Sequence, residues 1–144
     1  MRVKLKELLN KITNNQTVVY SRARYQNNAD ASFSDWIPFN TVEDNIGGGT
    51  WNSSGAYVVP KAGFYLVNFT CYSNSAGSGR AAVNNKTRGT MSMCNANYTT
   101  SITAIYQCEI GDELVAGAYS SSFPISIYGA SGHNSFTVVR LPIS

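Results

Sequence analysis

The feature that most constrains this fold is a succession of short strand-like runs that begins at Thr17 and continues almost to the carboxyl end. Each run is rich in β-branched and aromatic residues, and stretches of Gly, Asn, Ser and Asp separate the runs. Many short strands with turn signals between them, and no helices in alternation, indicate an all-β sandwich or barrel. The predicted strands are Thr17–Tyr25, Trp36–Val42, Ala56–Val59, Gly63–Tyr72, Arg80–Asn84, Thr99–Glu109, Glu113–Tyr119, Ile125–Tyr128 and Ser135–Leu141.

The first 13 residues follow a different pattern. Four apolar residues are spaced at i, i+3, i+4 and i+7, which places them on one face of a helix. They are Leu5, Leu8, Leu9 and Ile12. A helix of about 12 residues is only marginally stable alone in water, so this face must dock against something. We predict that residues 1–13 form an amphipathic helix that anchors the chain to a larger assembly, ahead of a head domain over residues 14–144. The alternatives are a helix that lies on its own domain and one that packs against a copy of itself.

Two of the predicted strands are apolar on both faces. Residues 64–69 read Phe-Tyr-Leu-Val-Asn-Phe and residues 136–141 read Phe-Thr-Val-Val-Arg-Leu, while side chains alternate between the two faces of a strand. Because a two-layer sandwich buries only one face of each sheet, we expect another copy of the chain to cover the second face. A loop or the amino-terminal helix is the alternative cover. The residues predicted to form this interface are Tyr65, Val67, Phe69, Phe136 and Val138.

The composition excludes several classes of protein. Only 13% of the residues are charged although 43% are apolar, because Asn, Ser and Thr supply 43 of the 144 residues. Aromatic residues make up 12%, which is unlike a disordered chain. The net charge of +3 comes from scattered Lys and Arg residues. Nucleic-acid binding needs a concentrated basic face, so we expect no nucleic-acid partner.

The absence of a predicted targeting signal and the cysteine pattern favour a protein made in the cytoplasm, and a mature fragment is the alternative. No run of 18 apolar residues predicts a membrane span, and no apolar run near the amino terminus predicts a secretory signal. The three cysteines, Cys71, Cys94 and Cys108, are odd in number and widely spaced. They suggest neither a disulfide framework nor a zinc site, and we expect them to be small buried thiols.

The chain carries no recognisable catalytic motif. Its single histidine, His133, lies in a Gly-His-Asn loop, and adjacent acids occur in turns at Glu43-Asp44 and Asp112-Glu113. The G-x-S-x-G, H-E-x-x-H and Rossmann-type glycine patterns do not occur. We therefore expect a protein that is not an enzyme and that needs no cofactor.

Three segments follow one another in a recognisable order. Residues 37–69 hold an aromatic-rich strand, then Pro60, Gly63 and the alternating Phe-Tyr-Leu-Val-Asn-Phe run. Residues 105–115 read as a strand, a Gly-Asp turn and a strand, and residues 135–141 as a closing strand. Together they resemble the globular head of complement component one q and its relatives, the tumour-necrosis-factor ligands. The resemblance implies a ten-stranded antiparallel jelly-roll sandwich that forms a homotrimer about one sheet, here preceded by the short helix.

The surroundings of this head resemble those of a bacteriophage virion protein. The 12 glycines show no G-X-Y period, so no collagen stem precedes the head, and a short Lys/Leu segment stands in its place. We expect a head-fibre, decoration or tail-fibre knob, located on the virion and joined to other virion structural proteins through its helix. The alternative is a free, extracellular bacterial complement-like ligand or lectin with no virion role. Some heads of the family hold calcium near the trimer axis. Eight acids and no D-x-D loop make a metal site the less favoured expectation here.

Aromatic residues beside small polar ones mark the predicted binding loops. Loops on a rigid sandwich are where recognition usually occurs. Stacking rings with amides and hydroxyls suit sugars, and we expect a host surface glycan or receptor as the ligand; purely structural decoration is the alternative. The residues assigned to this role are Trp51, Asn52, Tyr98, Tyr119, Phe123 and His133. Tyr128 accompanies His133 in its cluster.

Overall fold

The computed structural model describes residues 4–7, 18–27, 29–73, 79–96, 98–129 and 133–143. Its strands, in chain order, are β1 (Tyr20–Arg24), β2 (Ala31–Phe33), β3 (Thr41–Ile46), β4 (Thr50–Trp51), β5 (Tyr57–Val58), β6 (Gly63–Ser73), β7 (Gly79–Asn85), β8 (Thr90–Ala96), β9 (Tyr98–Cys108), β10 (Glu113–Ala118), β11 (Ile125–Ile127) and β12 (Asn134–Arg140). Residues 4–7 are helical and Leu5 is exposed, whereas Leu8, Leu9 and Ile12 lie outside the described residues. The expected anchoring role of residues 1–13 therefore stays a prediction.

Two antiparallel sheets pack into a sandwich. The seven-stranded sheet has a central order β9–β6–β12–β1–β3, and β11 with β2 joins it at the end of β6. The five-stranded sheet has the order β4–β5–β10–β7–β8. Strands that are neighbours in a sheet are mostly distant in sequence, and every pairing is antiparallel. The predicted all-β jelly-roll sandwich is thus confirmed.

The core lies between the sheets and is rich in aromatic rings. Phe136 stacks on Phe39, with ring centroids 5.4 Å apart, and Trp51 meets Phe136 edge-on at 5.8 Å. Phe39 also contacts Phe69 edge-on at 6.1 Å. Such pairs contribute roughly 0.5–1.5 kcal/mol each beyond the area that they bury. These rings join the two layers into one hydrophobic core.

The residues predicted to form the subunit interface belong to this core, so that assignment is corrected. Tyr65, Val67, Phe69, Phe136 and Val138 are all fully buried within a single chain. Both faces of β6 and β12 are indeed apolar, but these five side chains point toward the five-stranded sheet. The opposite face of the same strands carries Phe64, Leu66 and Val139, which remain partly exposed.

Several strand boundaries also differ from the prediction. The region predicted as a strand at 36–42 is largely a crossing segment, in which Trp36 forms an isolated bridge to Gly117. Ile37 and Phe39 are buried there because the segment crosses the sandwich edge, not because it lies within a sheet. The short strands β2 and β4 and the whole of β8 were not predicted.

A buried carboxylate fixes the Gly-Asp turn between β9 and β10. One oxygen of Asp112, Oδ2, accepts hydrogen bonds from Asn85 Nδ2 at 3.0 Å, Arg88 Nε at 2.7 Å and the Glu109 N–H at 3.0 Å. Burial acts to raise the pKa of Asp112, but these hydrogen bonds and the charge of Arg88 outweigh it and hold the pKa below its usual value. Asp112 therefore stays ionised and ties the turn to the end of β7.

The cysteines are free thiols, as expected. Cys71 and Cys108 are buried and Cys94 is partly buried. Burial raises the pKa of Cys71 and of Cys108 to about 12, so both remain protonated near neutral pH and make poor nucleophiles. No helix in the described part of the chain has the length and apolar character needed to cross a bilayer.

Candidate functional site

The outward face of the seven-stranded sheet carries one continuous apolar row. Strand register places one residue from each of five neighbouring strands side by side across the sheet. At a spacing of 4.7–4.9 Å per strand the row extends about 19 Å. The two end residues, both isoleucines, are each 55% exposed, and the three between them are partly buried. In order, the row is Ile46, Tyr20, Val139, Leu66 and Ile105, and we call it the apolar row.

The next row along the same strands is polar. Asn68 lies at its centre and donates through Nδ2 to Thr103 Oγ1 at 2.9 Å and to Ser101 Oγ at 3.1 Å. Thr70 Oγ1 donates to Asn68 Oδ1 at 2.9 Å. The face is therefore divided into an apolar half and a hydrogen-bonded polar half.

Trp51 and Asn52, two of the predicted ligand residues, serve structural roles in this fold. Trp51 is partly buried against the core and donates from Nε1 to Ser21 Oγ at 2.7 Å. Asn52 organises the β4–β5 turn, because its Oδ1 accepts from the N–H groups of Ser54 and Ala56 and its Nδ2 donates to Glu113. Both residues lie beside the start of β10, away from the other predicted ligand residues.

The remaining four predicted ligand residues lie at the opposite end of the sandwich. Tyr119 and Phe123 follow β10 and contact each other with ring centroids 6.5 Å apart. The Arg80 guanidinium lies 3.8 Å from the centroid of the Phe123 ring, a cation–π contact. Tyr98 is exposed at the start of β9, with a left-handed φ of 52°. His133 is exposed just before β12.

His133 belongs to a cluster of three aromatic rings that we call the aromatic platform. Tyr72 and Tyr128 have ring centroids 4.7 Å apart, and His133 lies 5.8 Å from Tyr128 and 6.3 Å from Tyr72. Backbone hydrogen bonds link the three residues, since Tyr72 N–H donates to His133 O at 2.8 Å and Tyr128 N–H donates to Tyr72 O at 3.1 Å. The sequence analysis grouped Tyr128 with His133, but it did not select Tyr72. The alternation of β6 could have found Tyr72, because it occupies an outward position of that strand.

A shallow depression of about 340 Å³ adjoins the platform. It is lined by Tyr72 and His133 together with the hydroxyl-bearing Thr70, Thr99 and Ser135. Arg22 is the charged residue of the lining. It lies opposite Asp44 in the strand register and its Nε is 3.9 Å from Glu43 Oε1. The depression is therefore polar, with its one cation next to carboxylates.

The described residues hold no arrangement that indicates catalysis or metal binding. No group of three or more His, Cys, Asp and Glu side chains among them could hold a metal ion. The single histidine contacts aromatic rings. What the described surface offers is an apolar row, an aromatic platform and a polar depression, which are features for binding.

Comparison with known proteins reveals a similarity of fold. No protein-family model and no curated protein matches the sequence. The Eiger TNF from S. frugiperda is 11% identical with a TM-score of 0.59, over 88% of this chain and 94% of that chain. The globular domain of zebrafish complement 1qA is 12% identical with a TM-score of 0.57, over 83% and 94%. The PRD1 vertex protein P5 is 12% identical with a TM-score of 0.55, over 86% and 96%. These neighbours are structural or ligand-like proteins, and this chain shares their tumour-necrosis-factor-like jelly-roll fold.

Proposed function

We propose that this chain is a non-enzymatic, homotrimeric virion surface protein, a head-fibre, decoration or tail-fibre knob that presents its loop end to the host. The observation that carries the proposal is the apolar row on the outward face of the seven-stranded sheet. A jelly-roll neighbour that is a phage vertex protein supports the virion setting. We also propose that the protein needs neither a metal ion nor a cofactor.

The apolar row supports self-association because it remains exposed to solvent in a single chain. Burying the exposed half of each terminal isoleucine contributes about 1 kcal/mol, and three subunits repeat that gain. A three-fold ring needs a heterologous contact, in which the row of one subunit meets a different surface of the next. The exposed Met91 and Met93 on the edge strand β8 provide such an apolar surface. Together the row and the edge can close a trimer.

The direction of β1 supports the proposed orientation on a particle. Tyr20 pairs with Val139 and Ile46 at the apolar end of the sheet, whereas the aromatic platform lies at the far end of β6. Leu66 and Tyr72 are six residues apart on β6, which is about 20 Å. A particle that holds the chain by residues 1–13 would therefore leave the platform directed outward.

The trimer is tested by light scattering on the full chain at micromolar concentration. We expect a mass of three times 15.6 kDa for the parent. Ile46→Asp together with Ile105→Asp should reduce it to one subunit. The matched control is Ile110→Asp, because Ile110 is 72% exposed in the β9–β10 turn, away from the row. A parent that is monomeric, or a row variant that remains trimeric, would overturn the proposal.

The virion role is tested by deleting residues 1–13 and following incorporation into particles. An antibody against the head should detect the full chain in density-purified particles. The truncated chain should remain trimeric in solution yet be lost from the particles. Truncated protein that still co-purifies with particles contradicts the anchor, and full-length protein found only free in the medium favours an extracellular ligand or lectin.

A further inference from the structure

We propose that the aromatic platform and its adjoining depression form a binding site for a neutral saccharide, with the sugar ring stacked on Tyr72 and Tyr128 and its hydroxyls bonded within the depression. The inference rests on the proposed host-recognition function, and it names the site and the class of ligand. It moves recognition away from Trp51 and Asn52, which the fold uses structurally.

The platform is held in place before any ligand arrives. The buried Asn134 accepts from the Tyr25 N–H at 2.7 Å and donates from Nδ2 to Tyr25 O at 2.8 Å and to Tyr128 O at 3.3 Å. It thereby joins β1, β12 and the segment that carries Tyr128. Because the neighbouring backbone is fixed in this way, little conformational entropy remains to be lost when a ligand is bound.

The platform is not explained by folding. None of its three rings belongs to the hydrophobic core, and Tyr72 is 40% exposed. Clustered rings on a surface leave apolar area in water unless a partner covers it. Tyrosine suits such a position because its ring supplies contact area while its hydroxyl stays hydrated.

The depression matches the chemistry of a sugar. Its volume of about 340 Å³ lies near the lower end of the range typical of small-molecule sites, roughly 300–1,000 Å³. Thr70, Thr99 and Ser135 each offer a hydroxyl that both donates and accepts, as sugar hydroxyls do. A ring with an apolar face and a hydroxylated rim would meet the platform on one side and these groups on the other.

The charges favour a neutral ligand over an acidic one. Arg22 is the only charged side chain that the structure places in the lining of the depression. Its charge is partly offset by Glu43 at 3.9 Å, a carboxylate that also lies 3.6 Å from Arg24 Nε. A carboxylated sugar would have to compete with Glu43 for the Arg22 guanidinium, so the cation acts here as a hydrogen-bond donor.

The test is ligand-observed saturation-transfer NMR on the full chain with single saccharides. Neutral mono- and disaccharides of glucose, galactose, mannose and N-acetylglucosamine are compared with glucuronic and sialic acid. We expect at least one neutral saccharide to bind with a Kd of about 1 mM, as a single-ring contact allows. Tyr72→Ala should weaken this binding at least tenfold, and Tyr72→Phe should largely restore it. His133→Ala, a change of an exposed side chain, should also weaken it.

The matched control is Ile110→Ala. Ile110 is 72% exposed in the β9–β10 turn and lies outside the depression, so its loss should leave binding unchanged. No neutral saccharide bound at 20 mM, binding of acidic saccharides alone, or an equal loss in Ile110→Ala would overturn the proposal. Light scattering on the same samples separates the two proposals. If the protein is a monomer that binds sugar, the saccharide site is supported and the trimer is refuted. If it is a trimer that binds no sugar, the trimer is supported and the saccharide site is refuted.

Discussion

Replacing Asp112 by Ala tests the energetics of the turn between β9 and β10. The change removes the acceptor of the Asn85 amide, which is fully buried, and of the Glu109 N–H. A buried donor left without a partner costs about 1–3 kcal/mol, so the two together predict a loss of about 3 kcal/mol. For a chain of this size that corresponds to a fall in Tm of roughly 6–12 °C. Asp112→Asn retains an acceptor oxygen and should lose about 1 kcal/mol.

The pH dependence of this effect has a defined sign. Because the pKa of Asp112 is lower in the folded chain than in the unfolded chain, its stabilising contribution is complete above the unfolded value of about 3.9. The contribution is lost as pH falls through the lower, folded value. The difference between the parent and Asp112→Asn should therefore be constant from pH 7 to pH 5 and shrink below pH 4.

Urea unfolding at fixed subunit concentration measures both predictions, since self-association makes stability depend on concentration. Asp35→Asn is the control, because Asp35 is exposed and should unfold like the parent. An Asp112→Ala protein as stable as the parent at pH 7 would refute the assigned hydrogen-bond network. A difference from Asp112→Asn that persists unchanged to pH 3 would refute the role of the charge.

Two further substitutions test packing. Phe136→Ala should cost about 3–5 kcal/mol in urea unfolding, because its ring is fully buried against Phe39; a stable variant that merely dissociates would instead restore the interface role. Gly117→Ala should destabilise by about 1–3 kcal/mol, since an added Cβ would lie 2.5 Å from the Asp35 carbonyl oxygen. Gly111→Ala meets no neighbouring atom and should cost about 1 kcal/mol from its φ of 89° alone, so an equal or larger loss there contradicts the steric argument.

Strands with clear alternation could be predicted from sequence, whereas β8, which is as long as β12, could not. Strands β6, β9 and β12 contain seven to eleven residues with clear alternation. This two-residue period can be recognised from the sequence alone. The sequence of β8, Thr-Met-Ser-Met-Cys-Asn-Ala, has little β-branched or aromatic character. It is a strand because it pairs with β7 along its whole length, which is a tertiary effect.

The sequence could not indicate which face of β6 and β12 packs against the other sheet. When both faces of a strand are apolar, alternation cannot tell which one meets the other sheet. The packing of Phe39 and Trp51 against Phe136 decides it. Only part of the aromatic platform could be predicted: Tyr128 and His133 are close in sequence, whereas Tyr72 is distant from both and meets Tyr128 only where β11 joins the end of β6.

The first and last strands of the sandwich are neighbours, and this has a practical consequence. The Arg140 N–H donates to Val19 O at 2.9 Å, so the chain enters and leaves the jelly roll almost at one point. A short loop could connect these positions and new ends could be opened in the exposed turn at Ile110, giving a circular permutant with the same sheets. Cargo attached beside Val19 or Arg140 would lie at the start of β6, whereas the platform lies at the other end of that strand, so the domain could display the platform.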